Sequence, residues 1–187
     1  MRITRLTATP VRVPVLRAGV MSRALRTHVS RTIVELETDS GLVGIGETRG
    51  EWSAAIIRDK FAKHVVGRDP WDGFAIRDAC LLPHIDYGFP ELVMEHYAYA
   101  GIELALWDLR GKQTGRPVYT LLGGAKRARA PFVAYAYTVD PAEGHAAKDV
   151  PRIMADIARR GIAETGAEMF EFKVGRHPIE VDVEVAL

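Results

Sequence analysis

Glu171 and Lys173 are the residues whose types and spacing most directly suggest chemistry in this chain. They stand two apart inside MFEFKVG (169–175), a run of aromatic and β-branched residues otherwise suited to a protein core. Side chains i and i+2 of a strand share one face. Phe170, Phe172 and Val174 therefore make an apolar face, and Glu171 and Lys173 make a charged one. That charged face is either an ordinary wet surface, an inward ion pair, or the lining of a site. A lysine acts as a general base where desolvation or a neighbouring cation favours its neutral form. A neighbouring glutamate favours the ammonium instead and makes the lysine a poorer base at neutral pH.

Tyr135 and Tyr137 repeat the i, i+2 relation in RARAPFVAYAYTV (127–139), where aromatic packing and a substrate contact are the competing roles. LRAGVMSRALRTHVSR (16–31) gathers Arg17, Arg23, Arg26, His28 and Arg31. Guanidinium groups hold carboxylates bidentately, which fits a polyhydroxy acid, although loop arginines often serve only solvation. Glu47, Arg49 and Glu51 form a second charged stretch of the same kind. His64, His84, His96, His145 and His177 show no metal-ligand spacing, and Cys80 in its greasy surroundings reads as an inert thiol.

The elements that must carry these residues fall into two rhythms. ITRLTATPVRVPV, with Pro10 and Pro14, suits an edge strand; SRTIVELET and GLVGIGE, joined by Asp39-Ser40-Gly41, read as an antiparallel hairpin. Helical spacing follows over Trp52 to Val66, where Ala55, Ile56, Asp59, Lys60 and Lys63 divide into apolar and charged positions. It recurs over 71–80 and from about Glu91 to Thr114, closing at Gly115 with Pro117 beyond. Strands followed by helices make an α+β domain. Beyond it come a strand (127–139), a helix (Val150–Gly166, with Ile153, Ile157, Ala158 and Ile162 on one side), the MFEFKVG strand and a helix opened by Pro178. Strand–helix–strand–helix is the pattern of a parallel sheet, and TVDPAEG is not a dinucleotide-binding glycine loop.

The 187 residues, 48% hydrophobic and 26% charged, suit one large or two small globular domains. A formal charge of +1 gives no argument for nucleic acid or an anionic membrane. A single cysteine excludes an intramolecular disulfide and suits a reducing cytoplasm. No stretch approaches the ~20 apolar residues of a membrane span, and the N-terminus lacks a leader's apolar run. A soluble, cytoplasmic protein is expected.

AYAGIELALWDLRGKQTGRPVYTLLGG (98–124) resembles the helix and linker joining cap to barrel in the enolase superfamily, mandelate racemase/muconate lactonizing branch. GLVGIGE resembles that family's N-terminal sheet, and FKVG the end of its second barrel strand. The resemblance implies an α+β capping domain over residues 1–126 and, over 127–187, the first two β/α units of a (β/α)7β TIM-like barrel. It implies abstraction of a proton α to a carboxylate, with Mg²⁺ stabilising the enediolate. Lys173 matches the second, catalytic lysine of the family's Lys-x-Lys motif, and Glu171 stands where the first lysine is usual. In a barrel Glu171 and Lys173 would face inward, near the strand end where such sites are built. Tyr135 and Tyr137 match a position of substrate contacts, and 16–31 matches the cap loop that closes over substrate. Arg17, Arg23, Arg26, His28, Arg49 and Glu171 are accordingly substrate-binding candidates. Glu103 and Asp108 read as structural, tying cap to barrel.

The implied function is an acid-sugar (aldarate or aldonate) dehydratase resembling glucarate dehydratase, working on a small carboxylate as a homo-oligomer. Racemase or cycloisomerase chemistry of the same superfamily is the alternative, and a non-catalytic assembly module is the alternative from another class. The family's carboxylate metal ligands lie on later barrel strands, so no metal ligand is expected here and Mg²⁺ is expected only in the complete protein. HPIEVDVEVAL ends without a helix stop signal, with Ile179, Val183 and Leu187 as its expected apolar stripe. The chain is therefore expected to be part of a longer polypeptide, or to need another chain, and to be inactive alone.

Overall fold

The computed structural model describes residues 1–20, 24–81 and 89–187. Two compact units emerge: Met1–Val13 with Val29–Lys126, and Pro14–His28 with Arg127–Leu187.

The alternating N-terminal segments form a three-stranded sheet in the order β1 (Ile3–Val20), β2 (Leu25–Thr38) and β3 (Val43–Arg49), of which residues 14–20 and 25–28 belong to the second unit and the rest to the first. Proline-bearing β1 takes an edge, the place in a sheet where proline is tolerated. β2 and β3 pair antiparallel from Arg31↔Arg49 to Glu37↔Val43. The turn between them is closed by Gly41, whose φ of +82° favours glycine. Period-2 burial puts Thr32, Val34 and Leu36 inward on β2, and Gly44, Gly46 and Thr48 inward on β3. The inward threonines are satisfied: Thr32 Oγ1 donates to Gly50 O at 2.7 Å, and Thr48 Oγ1 donates to Tyr97 O.

The helical stretch after β3 is continuous but not uniform. α1 (Ser53–Ile56) runs through a π turn (Ile57–Phe61) into α2 (Ala62–Val65). Its buried side is Ala54, Ile57, Phe61 and Val65, whereas Ala55, expected among the apolar positions, is exposed. α3 (Gly73–Leu81) adds Ile76, Cys80 and Leu81 to the core. α4 (Phe89–Thr114) buries Ala98, Tyr99, Ile102, Ala105, Leu106 and Leu109 in the core shared with the sheet and the preceding helices. Ala100, Glu103, Leu104, Trp107 and Asp108, which also recur at helical spacing, are exposed or half-buried instead. Each large aliphatic side chain in this core contributes roughly 1.5–3 kcal/mol. Gly115 (φ +63°) ends α4, and a short α5 (Val118–Leu121), which the sequence reading did not separate, follows Pro117.

The second unit is built on two parallel strands, β4 (Val133–Tyr137) and β5 (Met169–Lys173), joined through α6 (Val150–Thr165). Residues 127–132, expected as strand, carry no ladder, so β4 is the five residues VAYAY. Ala134 and Phe170 face α6 at Gly161, where an added Cβ would stand 3.1 Å from the Phe170 ring. Phe172 packs on a small core of Val139, Val150 and Met154. α6 ends at Gly166 (φ +67°). α7 (Ile179–Ala186) follows Pro178 and turns Val181 and Val185 to this core. The expected Ile179–Val183–Leu187 stripe is exposed: the inward residues are the two valines between its members.

Candidate functional site

One face of the β4–β5 pair is chemically equipped. The parallel register sets Tyr135 opposite Glu171 and Tyr137 opposite Lys173. All four side chains share one side, because Ala134, Ala136, Phe170 and Phe172 take the other. Tyr137 and Lys173 are the last residues of their strands, the end at which α/β barrels assemble their sites.

Lys173 Nζ pairs with the Glu171 carboxylate, and both side chains are about half exposed, at 52% and 51%. The ammonium also lies over the Tyr135 ring, 5.6 Å from its centroid. Tyr135 and Tyr137 meet edge to face, with centroids 5.2 Å apart and an interplanar angle of 89°. Arg26 NH1 donates to the Tyr137 hydroxyl at 3.4 Å, and both residues belong to the second compact unit. Gly19 of the same unit lies against the Tyr137 ring, where a Cβ would stand 2.7 Å from Cε2. Any larger residue there would make the Tyr137 ring shift, and nothing in the local sequence signals the contact.

The two phenols are driven apart electrostatically. A hydrogen bond with Tyr135, then one from Arg26, lowers the pKa of Tyr137, aided by the Arg26 and Lys173 charges. Tyr135 is pushed up to about 12 by burial first, then by its bond to Tyr137 and the nearby Glu171 charge. The acidified phenol and the lysine thus occupy opposing positions at the ends of adjacent strands.

Among the described side chains, His28, Arg31, Arg49, Glu47 and Glu51 take other partners. Arg23 lies outside the described residues, and Arg17 is described in its backbone alone. Residues 16–20 and 25–31, expected as a loop, are strand backbone in β1 and β2. His28 Nδ1 contacts Thr27 Oγ1 at 3.3 Å on an exposed surface. Arg31 pairs with Glu47 at 2.9 Å, Arg12 with Glu51 at 2.9 Å, and Arg49 stacks on Tyr97 at 5.7 Å, all within the first unit. Asp108 accepts the Ile45 N–H at 2.8 Å and the Lys112 ammonium at 2.7 Å, tying α4 to β3.

A cavity of about 310 Å³ in the first unit was not foreseen. At its wall Arg110, 7% exposed, sits between the Trp107 and Trp71 rings at 4.5 and 5.5 Å and donates to Pro70 O. Burial lowers the Arg110 pKa. Trp107 and Arg110, one turn apart on α4, were its only local signal, since Trp71 lies ahead of α3.

Among the described residues no group of three or more His, Cys, Asp and Glu side chains comes together that could hold a metal ion. The donors present do not fit a magnesium centre. Among these residues, too, no helix is long and apolar enough to cross a membrane.

Three likenesses place the chain among known proteins. The cis-3-hydroxy-L-proline dehydratase of Roseibium aggregatum is 35% identical over 190 residues, covering 94% of this chain and 46% of that protein. The N-succinyl-L-Arg/Lys racemase of Bacillus cereus is 27% identical over 184 residues, covering 94% of this chain and 45% of that one. The crystal structure of an enolase from Streptomyces coelicolor superposes with a TM-score of 0.85 at 33% identity, covering 99% of this chain and 48% of that chain. The chain spans about half the length of the curated relatives it matches. Its architecture is an α+β capping domain followed by the beginning of a β/α barrel. The model of the mandelate racemase/muconate lactonizing enzyme N-terminal domain matches residues 3–123, and the chain belongs to that family of the enolase superfamily.

Proposed function

We propose that residues 1–126 act as the capping domain, and residues 127–187 as the first two β/α units, of an enzyme that abstracts a proton α to a carboxylate. Its substrate in this reading is an acid sugar, an aldonate or aldarate, which it dehydrates. The observation that carries the proposal is the position of Lys173. It ends β5 on the face shared with Tyr135 and Tyr137, with Arg26 on the Tyr137 hydroxyl.

Each residue has a task that its chemistry allows. Lys173 takes the α-proton as the neutral amine, so its pair with Glu171 opens before the proton moves. Arg26 supports a planar guanidinium beside the site, suited to a carboxylate. Tyr135 and Tyr137 offer hydroxyls to a polyhydroxy substrate. Magnesium belongs to this reading for the complete protein, with ligands other than the residues described here, and no step is routed through it. A cytoplasmic setting accords with the single buried cysteine, and a homo-oligomer completes the proposal.

Racemisation is the second reading, favoured by the match to the racemase over 94% of the chain. Both begin with the same proton abstraction, so the products decide between them. The polypeptide carrying this chain is incubated with a panel of aldonates and aldarates, followed by carbonyl trapping and polarimetry. A 2-keto-3-deoxy acid supports dehydration. Inversion without a carbonyl product moves the assignment to racemisation. Neither product from any member of the panel, with the protein folded, overturns the acid-sugar reading.

A further inference from the structure

Dehydration needs two proton movements: one from carbon to a base, and one to the departing hydroxyl. Lys173 accounts for the first. The second requires a neutral acid near the lysine, whose conjugate base is stabilised once the proton has gone. Tyr137 meets both requirements. It is the register partner of Lys173 at the strand ends, and its oxygen receives a hydrogen bond from Arg26 at 3.4 Å. The ring is fixed from two sides, edge to face with Tyr135 and against the backbone of Gly19.

We propose that Tyr137 is a second catalytic residue, the general acid that protonates the β-hydroxyl leaving group while Lys173 takes the α-proton. This rests on the dehydratase reading above. The Cα–H bond breaks, its proton goes to Lys173 Nζ, and its electron pair remains on the substrate as the enediolate. Collapse of the enediolate breaks the Cβ–O bond. The departing oxygen takes the Tyr137 proton and leaves as water. Lys173 is then an ammonium and Tyr137 a phenolate, and transfer of one proton from Nζ to the phenol oxygen restores both. The sum is loss of one water with no oxidant or reductant.

The groups facing Tyr137 favour this cycle. Arg26, Tyr135 and, once protonated, Lys173 all stabilise the phenolate. Glu171 opposes Tyr135 rather than Tyr137 in the register, so its charge bears more on the outer phenol. A packing role would need the ring alone; the proposed role needs the hydroxyl.

The test uses the polypeptide carrying this chain and an acid sugar that it dehydrates, in D₂O. Wild type, Tyr137→Phe and Tyr135→Phe are compared for deuterium at the α-carbon of recovered substrate and for keto product. Tyr137→Phe is expected to lose about 10²–10⁴-fold in dehydration while continuing to exchange the α-hydrogen. A β-chloro analogue, whose leaving group departs without a proton, is expected to restore elimination by Tyr137→Phe. Tyr135→Phe, which removes a hydroxyl offered to the substrate and a bond to the Tyr137 oxygen, is expected to keep α-hydrogen exchange and to lose less dehydration than Tyr137→Phe. Undiminished dehydration by Tyr137→Phe overturns the inference and leaves Lys173 as the base. Loss of exchange together with both eliminations, in folded Tyr137→Phe, also overturns it. Failure of the wild type to dehydrate any acid sugar strikes the dehydratase reading itself, a separable failure.

Discussion

Tyr137 and Lys173 are register partners at the C-terminal ends of two adjacent parallel strands, with the Lys173 charge acting on the Tyr137 phenol. The period of the strands puts both on one face, and parallel pairing puts both at one end. Two residues 36 positions apart in the sequence thus meet with complementary chemistry.

The phenols should titrate apart. Tyr137 is lowered from 10.0 while Tyr135 rises to about 12. The lowered group stabilises the fold above its unfolded value of 10.0, a contribution lost as pH falls through the folded pKa. The raised group acts oppositely: its contribution is present below 10.0 and disappears as pH climbs towards about 12. Ultraviolet difference titration is expected to show an early tyrosinate step that vanishes in Tyr137→Phe and moves upward in Arg26→Ala. An early step that survives Tyr137→Phe contradicts the assignment.

Glu171→Gln should separate stability from activity. The pair with Lys173 is half exposed, so its loss should change stability by no more than about 1 kcal/mol. Exchange of the α-hydrogen should quicken, because the carboxylate that competes with substrate for Nζ is gone. A slower exchange with an unchanged melt would make Glu171 a participant rather than a competitor.

Gly46→Ala should damage the first unit. A Cβ there would lie 2.0 Å from Gly101 O and 2.8 Å from Ala105 N, both backbone atoms of α4. Overpacking of this kind costs about 1–3 kcal/mol, with roughly 2–4 °C of melting temperature per kcal/mol at this size. An unchanged melting temperature would show that β3 and α4 are not in such close contact.

Cys80 should resist Ellman's reagent in the folded protein and react once the protein is denatured. It is buried, and burial pushes its pKa from 9.0 to about 12. The neutral thiol therefore adds stability below pH 9.0, a contribution lost as pH rises towards 12. Rapid labelling of native protein would contradict both statements.

What could be read in advance follows from where the determining interactions lie. The β2–β3 hairpin was legible because alternation and Asp39-Ser40-Gly41 are local signals. The charged face of β5 was legible for the same reason, period 2 within five residues. The core side of α4 was not, because apolar and polar residues occur all around that helix and only its sheet partner selects a face. Likewise α7 alternates Ile, Val and acidic residues, and contact with the α6 core selects Val181 and Val185 over Ile179 and Val183. Tyr137 could be nominated from spacing, but its partners Arg26 and Gly19 lie more than a hundred residues away and left no local trace.

The central claim, that Lys173 is the base, is tested most directly by deuterium exchange at the α-carbon of an acid sugar that the polypeptide carrying this chain exchanges in D₂O. Lys173→Ala is expected to remove exchange by about 10²–10⁴-fold or more while its circular dichroism and melting temperature stay those of the wild type. Exchange at the wild-type rate in folded Lys173→Ala would contradict the account and leave Lys173 as the cationic half of a surface ion pair.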